Sequence, residues 1–165
     1  MRLAGLETVN LAELGPLYFE AKSVDEYFEA VSANNDYKWH RIAADRHGGI
    51  LYSYCAATHE RDDSLNWAGP VDGSTRKTEW GERIPASRMP RIANPSSGLL
   101  VNCNNNPYTV ASERPLDPAD FPRYLASQSL ELSPSSRAAR VFEILGPLER
   151  ISLEDMKRAA FDIKT

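Results

Sequence analysis

The spacing of apolar positions changes along the chain, and each change marks an element. In "SVDEYFEAVSAN" the apolar residues Val24, Tyr27, Phe28 and Val31 share one helical face. Ser23 precedes them as an N-cap and Glu26 follows three residues later, so the pattern predicts a helix from Val24 to Ala33. "DYKWHRIAADRHGGILYSYCAA" comes next, with two apolar arms flanking the Asp- and Gly-rich turn "DRHGG". It predicts a β-hairpin with strands over Lys38–Ala44 and Ile50–Ala56.

Residues 57–98 lose the period and are rich in Pro, Gly and charge. A stretch of this length inside a compact domain is functional or linking. Trp67 and Trp80 are residues that a disordered linker rarely holds, so an ordered surface excursion is expected. "NPSSGLLVNCNNNPYTV" then reads as an opening turn, a short strand and an exit loop. On a strand Leu100, Asn102 and Asn104 would share one face, and Leu99, Val101 and Cys103 the other. Asn105 and Asn106 read as turn formers, because asparagine tolerates positive φ.

From residue 116 the pattern is helical. "DPADFPRYLA" predicts a short helix. "SPSSRAARVFEILG" predicts a helix with Pro134 near its start, Gly146 at its stop, and Val141, Ile144 and Leu145 on one face. "SLEDMKRAAFDI" predicts a helix N-capped by Ser152, with acids in its first turn. The chain therefore reads as a single α+β segment, 1–165. Its parts are helix plus hairpin (1–56), a long ordered loop (57–98), strand and Asn loop (99–115), and a helical end (116–165).

Composition narrows the function classes. With 165 residues, 42% hydrophobic and 25% charged, the chain suits one domain or a piece of a larger one. A net charge of −4, with basic residues interleaved among acids, leaves no footprint for nucleic acid. No apolar run approaches the roughly 20 residues that span a bilayer, and "MRLAGLETVN" lacks the apolar core of a signal peptide. Cys55 and Cys103 have no metal spacing; they read as small buried residues or as a pair in an oxidising compartment. His40, His47 and His59 fall at no ligand spacing and read as exposed loop or strand residues.

Several stretches, in order, carry a resemblance: "RLAGLE", "AADRHGGILY", "GPVDGSTRKTEWGERIP", "NPSSGLLVNCNNNPY", "LSPSSRAARVFEIL" and "ISLEDMKRAAFDI". Together they resemble part of the β chain of the penicillin acylase family, in its acyl-homoserine-lactone acylase and aculeacin acylase branch. The resemblance implies an N-terminal-nucleophile hydrolase with a four-layer αββα sandwich. In that family a serine freed by self-cleavage attacks an acyl amide, using its own α-amine as base, whose pKa near neutrality suits the task. Backbone N–H and an asparagine amide hold the oxyanion.

By this resemblance Asn104 is the oxyanion asparagine, and Arg137, at the helix start, is an arginine pointing toward the active site, in preference to Arg140. Trp67 and Trp80 are candidates for lining an acyl pocket or for pinning the long loop. Some family members bind calcium, and "ASERPLD" offers Glu113, but no ligand set is assigned here and no other cofactor is implied. The implied partners are the remainder of a β chain, an α chain and a small acyl-amide substrate: a penicillin, an acyl-homoserine lactone or a lipopeptide. Export to the periplasm or medium follows from the resemblance alone.

The sequence also departs from the family. Position 1 is Met1, not serine, and the one internal Gly-Ser, Gly73–Ser74, lies inside the long loop rather than at a strand head, so it is no processing site. The expectation is a segment from within a β chain, inactive alone and prone to associate through its open strand edges. The competing expectation is a non-catalytic α+β binding or scaffold module that uses the 57–98 loop as a contact surface.

Overall fold

Ser23 starts the first helix as its position predicts: its hydroxyl accepts the Glu26 N–H at 3.1 Å. The computed structural model describes residues 16, 18–33, 39–55, 58–126 and 134–164. The "RLAGLE" stretch, Lys38, Ala56 and the beginning of "LSPSSR" lie outside the described residues. Helix α1 is Val24–Ser32, with Ala33 as C-cap, and buries Val24, Phe28 and Val31.

Strands β1 (Trp39–Ala44) and β2 (Ile50–Cys55) pair antiparallel in the register Ala44↔Ile50 to Trp39↔Cys55. Asp45 organises their turn. Its Oδ1 accepts the N–H of His47 at 2.8 Å and of Gly49 at 2.9 Å, and its Oδ2 accepts the Val24 N–H at 3.2 Å. One carboxylate thus closes the hairpin and fixes the helix start upon it. The N–H of Gly49 and then of Val24 hold this carboxyl below its ordinary pKa. A Cβ at Gly49 would lie 2.7 Å from Asp45 Oδ2 and 3.0 Å from Val24 Cγ2, so a larger residue here would displace the Asp45 carboxylate from this turn.

A third strand, β3 (Arg91–Ala93), pairs antiparallel with β2, giving the sheet order β1-β2-β3. It falls within the segment read as loop. Three residues hold too little alternation to register in the sequence, and pairing with β2 is what makes them a strand. Successive side chains of β2 face opposite ways. Leu51 joins Val24, Phe28 and Ala86 under α1. Tyr52 and Tyr54 join Ile84, Met89, Ile92, Val110, Ala111, Tyr124 and Leu125 on the other face. The molecule is thus α+β, with a small antiparallel sheet covered by a helix on one face and by the long connection on the other.

The described part of the long connection, from residue 58, folds back on itself. Its two ends zip together through a His59↔Arg83 bridge, with Glu60 N–H to Glu82 O, Gly81 N–H to Glu60 O and Ile84 N–H to Thr58 O, each 2.8 Å. Short 3-10 turns lie at Arg76–Thr78 and Ala86–Arg88. Ile84, 1% exposed, anchors the segment in the core.

The strand expected over residues 99–103 does not form. Val101 N–H bonds Val110 O at 2.8 Å, but the neighbouring amides turn to asparagine side chains instead. Asparagine competes with a ladder by offering local side-chain acceptors, which is why the alternation of Leu and Asn fails as a strand signal here. The C-terminal part is helical as predicted. "DPADFPRYLA" forms a 3-10 turn, Pro118–Asp120, and a short helix α2, Arg123–Ala126. Helix α3, Ser136–Leu145, is N-capped by Ser135 and stops at Gly146; Ala138 and Leu145 are buried, with Val141 and Ile144 half-buried beside them. Helix α4, Leu153–Ala160, carries a reciprocal cap between Ser152 and Asp155. Arg140 of α3 grips Asp162 with two hydrogen bonds of 2.9 Å and adds Glu143 at 2.8 Å, which holds the end of α4 against α3.

Candidate functional site

The asparagine cluster forms a compact, self-bonded loop. Pro95 O accepts the Gly98 N–H at 2.9 Å, closing the opening turn, and Gly98 has φ +63. Glu113 backs this turn, accepting the Ser97 N–H at 3.0 Å and the Ser96 hydroxyl at 3.2 Å. Partial burial opposes its ionisation, but these hydrogen bonds outweigh it and hold the carboxyl down to about 2. Its partners are therefore loop N–H and hydroxyl groups, and among the described residues no group of three or more His, Cys, Asp or Glu comes together as a metal site.

Past Val101 the chain makes a chain of side-chain-closed turns. Asn102 Oδ1 accepts the Asn104 N–H at 3.0 Å, and Asn105 Oδ1 accepts the Cys103 N–H at 2.8 Å. Asn106 Oδ1 accepts the Tyr108 N–H at 2.9 Å and caps a 3-10 turn, Pro107–Thr109, with Pro107 at its first position. The cluster differs from expectation in one respect. The left-handed residue is Asn104, at φ +60, and not Asn105 or Asn106. Asn105 and Asn106 are instead buried, at 4% and 6% exposure, and act through their side chains. Two short-range acceptors and a following proline force the backbone to reverse at Asn104, the position where asparagine meets least strain.

Asn104 is exposed at the outer edge of this loop. The structure brings it together with Arg137, from the first turn of α3. A single Nη2 of Arg137 donates to Cys103 O at 2.6 Å and to Asn104 Oδ1 at 3.2 Å. A guanidinium can only donate, so the carbonyl end of the Asn104 amide must face it. Nδ2 then points elsewhere, and among the described residues it has no protein acceptor. Arg140, the alternative arginine, is committed to Asp162 and Glu143. Ser135 sets this arrangement from the sequence: by capping α3 it places Arg137 at the exposed helix start.

Trp67 and Trp80 lie elsewhere, within the long connection. The Arg61 guanidinium sits over both rings, 5.1 and 4.6 Å from their centres, and 5.9 Å from Tyr124. Trp67 Nε1 donates to Asp62 O at 2.8 Å, and Trp80 stacks on His59 at 5.5 Å. These contacts fasten the loop to itself and to the core. Of the remaining histidines, His40 on β1 meets the Tyr52 hydroxyl at 2.9 Å, and His47 lies exposed in the hairpin turn. Cys103 is a free, half-buried thiol. No helix of the described residues is long and apolar enough to cross a membrane.

The residue that sequence reasoning missed is Arg61. Its interest comes from three aromatic rings at positions 67, 80 and 124, and no local motif announces such a gathering. The buried role of Asn105 was missed too. The signal for it is the threonine four positions on, whose hydroxyl and carbonyl the amide reaches.

Comparisons with known proteins agree with this segment's character. Over 135 residues the chain is 29% identical to Penicillin acylase 2 proenzyme of Pseudomonas sp. (strain SE83), covering 82% of this chain and 16% of that protein. Over 64 residues it is 36% identical to Penicillin G acylase of Escherichia coli, covering 39% of this chain and 7% of that protein. The chain thus spans a small part of the length of the curated relatives it matches. The family model described as Penicillin amidase matches residues 2–165, so the chain belongs to the penicillin amidase family.

Proposed function

We propose that this chain supplies the oxyanion-binding part of an amidohydrolase active site, with Asn104 as the donor and Arg137 as the group that orients it. The observation that carries the reading is the Arg137 contact to Asn104 Oδ1, which leaves the amide N–H₂ free to donate. When an amide carbonyl is attacked, its oxygen gains charge, and a neutral donor fixed in advance stabilises that charge without titrating. The turn at Asn104, closed by the side chains of Asn102 before it and of buried Asn105 after it, supplies the fixity. Family membership and the likeness to two penicillin acylases support the reaction class.

The acyl substrate in this reading is a β-lactam side-chain amide, an acyl-homoserine lactone or a lipopeptide. The nucleophile comes from outside this chain, as do the remaining walls of the site. That the matched region spans 16% of the Pseudomonas relative supports such a division. Trp67 and Trp80 serve the site by holding the long loop, and a direct place in the acyl pocket is the narrower form of the same proposal. The isolated chain is expected to release no amine from penicillin G or from an acyl-homoserine lactone.

The test is Asn104→Ala in the active enzyme that carries this chain, with penicillin G and N-acyl-homoserine lactones as substrates. The expected result is a loss of about 10²–10³ in kcat with KM little changed. Unchanged kcat, or turnover by the isolated chain, would overturn the reading.

A further inference from the structure

Asn105 stands next to the proposed donor but cannot reach the same side of the loop. It is 4% exposed, and both ends of its amide are engaged. Oδ1 accepts the Cys103 N–H at 2.8 Å, while Nδ2 donates to Thr109 O at 2.9 Å and approaches Thr109 Oγ1 at 3.1 Å. The Thr109 hydroxyl in turn donates to Asn106 O at 2.9 Å. One buried amide therefore ties the chain before Asn104 to the chain after it.

The peptide unit it holds is also the one that Arg137 holds. Cys103 offers its N–H to Asn105 and its carbonyl to Arg137, at 2.6 Å. Asn104 follows directly, in a left-handed conformation that asparagine tolerates and that the two grips keep in place. Arg137 grips the donor from outside the loop, and Asn105 grips its backbone from inside. With either grip gone the amide keeps its chemistry but loses its fixed aim.

From this geometry we propose that Asn105 is a positioning residue for the oxyanion donor, acting on catalysis only through Asn104; the inference rests on the role proposed above for Asn104. The buried polar alternative, an amide that merely satisfies loop N–H and C=O groups, makes the same hydrogen bonds but a different kinetic forecast. A positioning residue owes its effect to the donor, so removing the donor first should erase it.

The experiment has two arms. In the chain itself, amide hydrogen exchange and the backbone coupling constant of Asn104 are measured for the wild type, Asn105→Ala and the milder Thr109→Val. Asn105→Ala is expected to lose the left-handed signature at Asn104 and to speed exchange at Cys103, while Thr109→Val, which keeps the Thr109 carbonyl and the Cys103 bond, is expected to shift both less; a wild-type signature in Asn105→Ala would overturn the inference. In the active enzyme, Asn105→Ala or, if that variant does not fold, Thr109→Val is compared alone and combined with Asn104→Ala. Asn105→Ala is expected to lower kcat about 10- to 100-fold with KM unmoved, Thr109→Val to lower it less, and either double variant to be no slower than Asn104→Ala alone. Additive losses in the double variant would make Asn105 structural only and leave the Asn104 reading standing. If Asn104→Ala itself leaves kcat unchanged, the donor reading falls first and the positioning inference with it.

Discussion

Arg137 Nη2 bridges Cys103 O and Asn104 Oδ1, at 2.6 and 3.2 Å, although the residues lie more than thirty positions apart in the chain. The contact joins the first turn of α3 to the tip of the asparagine loop and decides which end of the Asn104 amide faces outward. It also separates two arginines that look alike in sequence: Arg137 and Arg140 share a helix, but only the former reaches the loop.

Arg137→Ala should leave the fold intact and release the donor. The side chain is exposed, and surface substitutions of this kind are usually worth under about 0.5 kcal/mol. In the active enzyme kcat is expected to fall by about 10²-fold, as for a misplaced catalytic group. Thermal denaturation alongside steady-state kinetics checks both halves.

Glu113 gives the loop a pH dependence of defined sign. Its carboxyl is held down to about 2 in the folded chain against an ordinary 4.5. A depressed folded pKa contributes stability that is complete above the unfolded value and drains away as pH falls toward the folded one. The wild type should therefore lose stability relative to Glu113→Gln as pH drops from about 4.5 to about 2, and the two should run parallel above about pH 5.5. Urea titrations across that range read it directly.

Ile84 pins the long connection beneath the sheet at 1% exposure, among Tyr52, Met89 and Ile92. Ile84→Ala leaves a cavity that the rigid sheet cannot close, and a loss of about 2–5 kcal/mol is expected in chemical denaturation. A change below 1 kcal/mol, as at a surface site, would mean that the connection is not anchored there.

Arg61 holds Trp67, Trp80 and Tyr124 around one guanidinium. Burial disfavours its charge and lowers its pKa, and the ring faces around it offset part of that cost. Arg61→Leu should weaken the near-ultraviolet circular dichroism of the two tryptophans while the far-ultraviolet spectrum stays. An unchanged near-ultraviolet signal would show that the rings are fixed without it.

Asp162 receives two hydrogen bonds from Arg140, both side chains being 23% exposed. Asp162→Asn removes the charge that answers Arg140 and should speed hydrogen exchange over Leu153–Ala160, leaving α1 and the sheet unchanged. Equal exchange in variant and wild type would show that α4 docks by other contacts.

Local chemistry was legible where it needs no partner. Ser23 and Ser152 cap helices because a short hydroxyl side chain satisfies the orphan amides of a first turn, whatever the rest of the molecule does. The hairpin at Asp45–Gly49 follows from the same economy: a carboxylate that collects two nearby N–H groups and a glycine free to take φ +90. The resemblance singled out Asn104 through "NPSSGLLVNCNNNPY" and Arg137 through "LSPSSRAARVFEIL", and these two residues meet.

The rest depended on residues distant in sequence. Leu99–Cys103 alternates like a strand, yet its end is drawn into turns in which the Cys103 and Asn104 amides bond asparagine side chains, while Arg91–Ala93, with no pattern of its own, becomes a strand because β2 offers it a ladder. Likewise Asn104 rather than its neighbours takes positive φ, because Asn105 and Asn106 spend their side chains on Cys103, Thr109 and Tyr108. By itself the sequence determined the caps, the hairpin and the family. Only the tertiary structure decided which asparagine is exposed and which way its amide points, because that direction is set by a guanidinium on another helix.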